Sequence, residues 1–155
     1  MEEIIQKPSF THREIAVTCF NKVWDLLVLE NRTEKESEEM VHLCHSSFWH
    51  WTMVQEHTPT NLSIGYWQLS RVYAVTGKGE TALHYAEKCI EISTNAELKP
   101  FYIAYAHEAA ARAYKGLGEA VKCQESLETA FHFTSQVVDD ESKGWLTKDL
   151  ENIQS

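Results

Sequence analysis

A chain of 155 residues is the size of one ordinary domain, large enough to bury a continuous core without disulfide or metal staples. Its 14 Lys and Arg against 23 Asp and Glu give a net charge of −9, which disfavours nonspecific attraction to nucleic acid or to an anionic membrane. Cys19, Cys44, Cys89 and Cys123 stand far apart with no Cys-x-x-Cys pair, the pattern of buried thiols in a reducing compartment, so neither a disulfide nor a cysteine-held zinc is expected.

The first residues, Met1 to Gln6, are acidic and lack the basic start and long apolar run of a signal peptide. The most apolar stretch, Val23 to Leu29, is interrupted by Asp25 and falls well short of the ~20 residues that a bilayer span needs. These features predict a cytoplasmic protein, a single domain over residues 1–155, with no membrane contact and no cofactor called for.

Pro8, Pro59 and Pro100 each stand where a helix would begin, a position at which the missing N–H costs nothing. Thr11 to Glu14 reads as a capping box, and Ile15, Ala16, Cys19, Phe20, Val23, Trp24 and Leu27 give the helix that follows, at about 10–30, a wide apolar stripe. A second capping box, Thr33 to Glu36, opens helix two at about 34–55. Its Met40, Leu43, Cys44, Ser47, Trp51 and Val54 should pack inward, while Glu38, His42, His45 and Trp49 line the opposite side at helical spacing.

Residues 64–92 then read as two antiparallel helices joined at Thr76-Gly77-Lys78-Gly79, where the glycines supply the stop and the turn. Pro100 starts helix five, which runs to about Lys115, and helix six follows at about 119–133. Asp139, Asp140 and Glu141 open a last helix with a narrow apolar stripe of Trp145, Leu146, Leu150 and Ile153, the signature of a terminal cap. The expected core comprises Phe20, Trp24, Leu43, Trp51, Leu69, Tyr73, Ala82, Ala86, Ala110, Tyr114, Leu127, Leu146 and Leu150.

Laid on itself at an offset of 41, the chain places Arg71, Tyr73 and Gly77 over Arg112, Tyr114 and Gly118, with small or apolar residues in register on the second helix of each unit. A two-helix unit is thus repeated. Leu69, Ser70, Tyr73, Gly77, Ala82 and Cys89, then Ala110, Ala111, Tyr114, Gly118 and Ala130, resemble the tetratricopeptide repeat. The likeness extends over about 70 residues, with three departures: the offset exceeds the ~34 residues of the regular repeat, Ala86 or Leu127 replaces the second-helix aromatic, and Thr94 and Ser135 stand at the closing proline. Over nearly its whole length the chain also looks like a group of small bacterial proteins of unassigned function that share its His-x-x-His, Trp-Gln-x-Ser-Arg-Val-Tyr-Ala and Ala-Arg-Ala segments. The fold that follows is all-α, a tetratricopeptide-like array of about seven antiparallel helices.

In such repeats the first helix of each unit lines a concave groove. Carried over position by position, the resemblance implies ligand-facing Trp67, Arg71, Glu108, Arg112 and Lys115. Two arginines one repeat apart could grip a carboxylate or phosphate, with Trp67 as an apolar wall. The competing reading is that Glu108 and Arg112 pair at i, i+4 and the arginines only tie stacked helices together.

A noncatalytic binding or adaptor module is the expected function, taking a peptide, a protein partner or a small anionic ligand, with no catalytic residue assigned. Exposed ends of the array are compatible with a homodimer. The alternative is a metal-dependent enzyme with a His/Glu site on helix two, from Glu38, His42 and His45 with His50 nearby. Packed, hydrogen-bonded histidines are the simpler reading, since no His-Glu-x-x-His pattern occurs and eight histidines cluster easily by chance. Cys44 beside His45 is disfavoured as a nucleophile–base pair, because adjacent helical residues point about 100° apart and Cys44 falls on the inward-packing face.

Overall fold

Short polar side chains and prolines start most of the helices, because the first N–H groups of a helix have no intrahelical acceptor. The computed structural model describes residues 9–155, so Pro8 and the acidic start lie outside the described residues. Thr11 caps α1 (His12–Leu27), accepting from the Glu14 N–H at 3.1 Å. The full reciprocal box forms at Thr33 and Glu36 ahead of α2 (Glu34–Met53), and again at Thr58 and Asn61 ahead of α3 (Pro59–Val75). After α4 (Gly79–Asn95), a proline opens α5 (Pro100–Gly116). The chain continues with α6 (Ala120–Thr134), and Asp139 caps α7 (Asp140–Gln154). Among the described residues there is no strand, and no helix is long and apolar enough to cross a membrane.

The repeat is visible in the backbone. Gly77 and Gly118 both adopt the left-handed region, with φ of 80° and 72°, where a side chain would be strained. Each glycine turns the chain so that the next N–H reaches back to the repeat tyrosine, Lys78 to the Tyr73 carbonyl at 2.8 Å and Glu119 to the Tyr114 carbonyl at 3.0 Å. One turn chemistry therefore closes the first helix of both units.

Helices pair as α1 with α2, α3 with α4 and α5 with α6, and each pair packs on the next. On one side of the array α3, α5 and α7 also touch in succession, forming an inner layer. α5 lies at the centre, against α3, α4, α6 and α7, and its buried positions are mostly alanine: Ala104, Ala106, Ala109, Ala110, Ala111 and Ala113. A helix that is small and apolar on nearly every side lets neighbouring axes approach closely on every side. α7 closes the array with Leu146, Leu150 and Ile153, all buried.

Leu69, Ala82, Ala86, Ala110, Leu127, Leu146 and Leu150 are buried as expected. Phe20, Leu43, Trp51, Tyr73 and Tyr114 are only half-buried. Trp24 departs furthest, at 37 % exposure, because it lies on the side of α1 that faces the groove rather than α2.

Candidate functional site

The inner layer brings repeat-equivalent side chains together around one carboxylate. Glu108 sits on α5 within an alanine run and is completely buried. Its Oε2 accepts from the Trp67 indole N–H at 2.9 Å. Its Oε1 accepts from Arg71 Nη2 at 3.1 Å and from Arg112 Nε and Nη2 at 3.1 and 2.8 Å. Trp67 and Glu108, like Arg71 and Arg112, occupy equivalent places 41 residues apart, so stacking of the two units sets them on one face.

Four of the five residues implied by the resemblance thus converge, and they converge on each other. The two guanidinium groups are opposed by Glu108 and, 3.8 Å from Arg71, by Asp149 of α7. Two positive charges face two negative ones, leaving no surplus for an external anion at the arginines. Lys115, the fifth residue, donates instead to the carbonyls of Ile153 and Ser155 at 2.7 Å each, clasping the end of α7.

Burial pushes the Glu108 carboxyl upward, but Arg71, Arg112 and the Trp67 hydrogen bond pull it down more strongly and hold it below its ordinary value of 4.5. A carboxyl depressed on folding stabilises the fold above its unfolded value, and that stabilisation fades as pH falls through the folded value. Stability is therefore expected to drop as pH is lowered from about 5 to about 3, and the gap in melting temperature between wild type and Glu108→Gln to narrow over the same range. The comparison with the variant matters because the helix-capping carboxyls of Glu36 and Asp139 are also lowered, by hydrogen bonds to Thr33 and Ser142 respectively. A gap that stays constant across the range would mean that folding leaves the Glu108 carboxyl unshifted, and a gap that widens as pH falls would mean that the fold holds it protonated.

Beside this cluster the inner face opens into a cavity of about 600 Å³. α1 contributes Phe20 and Trp24, α3 Ile64 and Trp67, α5 Phe101, Tyr102 and Tyr105, and α7 Trp145, Lys148 and Asp149, with Ser63 and the Cys89 thiol on the remaining wall. The Arg71–Asp149 approach links α3 to α7 past α5, and Trp24 of α1 stacks on Trp67 at 5.6 Å. The inner layer therefore curls so that the expected concave groove becomes a half-open pocket. No protein-family model and no curated protein matches this chain.

The pocket is rigid on its inner side. The Trp67 ring is fixed by its bond to Glu108, the Trp24 stack, an edge contact from Tyr105 at 5.5 Å and the Arg71 guanidinium 5.1 Å over its ring. Tyr105 donates to Asp149 Oδ2 at 2.9 Å, so its hydroxyl also has a fixed role, and burial together with that carboxylate raises its pKa well above the ordinary phenol value. The outer edge is freer: Trp145 is 54 % exposed.

The histidine face of α2 is not an assembled metal site. Glu38 and His42 are exposed, His45 Nε2 pairs with the Tyr73 hydroxyl at 2.7 Å, and His50 Nδ1 meets His12 Nδ1 at 2.8 Å on the far side of the helix. Among the described residues no three His, Cys, Asp or Glu side chains are grouped so as to hold a metal ion. The expected polar stripe is broken because α2 is packed on two sides, which turns His45 toward Tyr73 and Tyr85. Burial raises the Cys44 thiol to about 12, and its Sγ donates to the Val41 carbonyl at 3.1 Å, so it is inert as a nucleophile at neutral pH.

Sequence reasoning picked out Trp67 and missed the rest of the pocket wall. Phe101 and Tyr105, at i, i+4 on the first turns of α5, and Trp145 on the narrow stripe of α7 were the available signals.

Proposed function

We propose that the chain is a noncatalytic binding module, a tetratricopeptide-like scaffold whose inner face holds an apolar group of a peptide, a protein partner or a small anionic ligand. The observation that carries the reading is the aromatic pocket of about 600 Å³, which falls within the size range of small-ligand sites and has their largely apolar lining with a few polar groups. The repeated Tyr–Gly turns and the inner layer of first helices support the tetratricopeptide-like assignment. Catalysis is not supported by the groups at hand: the buried carboxylate is neutralised by two arginines, and the Cys89 thiol is raised by burial to about 11.

A neutral apolar reporter, N-phenyl-1-naphthylamine, tests the reading without invoking charge. Fluorescence titration is expected to show saturable binding at one site per chain. Trp145→Ala should weaken it by about tenfold, while shifting unliganded stability by no more than about 0.5 kcal/mol because the side chain is half in water and makes no hydrogen bond. Equal binding by the variant, or titration without saturation, would remove the pocket from consideration.

A further inference from the structure

Resting on the binding reading above, we infer that the pocket selects a flat aromatic molecule carrying a single negative charge, with the anion paired to Lys148 rather than to the two arginines. The walls select the body of the ligand. Trp24 and Trp145 line the cavity from α1 and α7 with 37 % and 54 % of their surface in water, and Phe101, Tyr102 and Tyr105 line it from α5. Rigid indole and phenol walls favour a planar guest, which gains edge and offset-stacked contacts and loses little conformational freedom on entry.

The charges select the head group. Of the ionised side chains at or behind the cavity, Glu108 is held by Arg71 and Arg112, while Asp149 is held by the Tyr105 hydroxyl and lies 3.8 Å from Arg71. Lys148 lines the same cavity from α7, is exposed, and forms no ion pair among the described residues. The uncompensated charge at the mouth is therefore positive. The protein's net charge of −9 acts in the opposite sense, but charges farther than about 10 Å are largely screened at ordinary ionic strength, whereas a contact pair with Lys148 lies well inside that distance and is lost only at raised salt. The local term decides the sign.

Isothermal titration calorimetry with three probes of one shape tests this: 1-naphthaleneacetate, the neutral 1-naphthaleneethanol and the cationic 1-naphthylethylamine. Wild type is expected to bind the carboxylate about threefold to fivefold more tightly than the alcohol, the size of an exposed ion pair, and the amine most weakly. Lys148→Gln should erase the preference for the carboxylate while leaving affinity for the alcohol unchanged, and raised salt should erase it in wild type. If the alcohol binds and the amine matches or exceeds the carboxylate, or if Lys148→Gln keeps the preference, the anion assignment fails and the pocket itself stands. If none of the three binds wild type, both the ligand class and the pocket reading fail.

Discussion

Replacing Glu108 with alanine is expected to lower the free energy of unfolding by about 3–5 kcal/mol, which is roughly 10 °C or more in melting temperature for a chain of this size. Three groups lose their shared acceptor at once. Arg71 and Arg112 have only 15 % and 22 % of their side chains exposed, so water cannot fully replace the carboxylate, and the Trp67 indole N–H is left buried without a partner. Removing the whole set should cost far less than removing its centre: an Arg71→Met/Glu108→Leu/Arg112→Met triple variant is expected to stay within about 2 kcal/mol of wild type, because the buried charges leave together; Asp149 keeps the Tyr105 hydroxyl and its contact with water, and only the Trp67 N–H is left without its acceptor. Urea denaturation of the two variants checks both halves. A single Glu108→Ala change costing under ~1 kcal/mol would mean that the cluster is solvated and carries no structural load.

The second large effect is expected where α5 meets its neighbours. Ala111 is completely buried among Cys123, Leu127, Ala130, Leu150 and Ile153, in contact range of α6 and α7 at once. Ala111→Leu adds three carbon atoms where the helix axes already approach closely, and overpacking of this kind should destabilise by about 3 kcal/mol. The same change at Ala120, which is exposed at the start of α6, should alter stability by less than about 0.5 kcal/mol. Equal effects at the two sites in thermal denaturation would show that the centre of the array is loosely packed.

These two residues also mark how far the sequence could be read. Caps, helix-starting prolines and the Gly77 and Gly118 turns were legible because their chemistry is local: a hydroxyl three residues from an N–H, or a backbone angle only glycine adopts freely. The helical repeat was legible for the same reason. The meeting of Trp67, Arg71, Glu108 and Arg112 was half legible, since the offset of 41 puts them on one face but does not say that a single carboxylate collects the other three. Its position in a run of alanines was the signal: an ionised side chain set among buried small residues must bring its counter-charges with it. The pocket was the least legible part. Its walls come from five helices spread along the sequence, and its shape depends on the curl that brings Asp149 of α7 toward Arg71 of α3. Periodicity within any one helix carries no information about that curl. Trp24 illustrates the loss, because its stripe position reads equally well as core or as groove wall.

The stacked pair formed by Trp24 and Trp67 has an optical consequence. Two indoles 5.6 Å apart and inclined by 29° have transition dipoles close enough to mix, so the far-ultraviolet dichroism of this helical protein should carry an excitonic couplet beside its helix bands. Trp67 is fixed by Glu108, whereas Trp24 is held on the partly exposed side of α1. A molecule wedged against Trp24 would tilt one oscillator relative to the other, and the couplet would change in amplitude while the helix signal stayed constant.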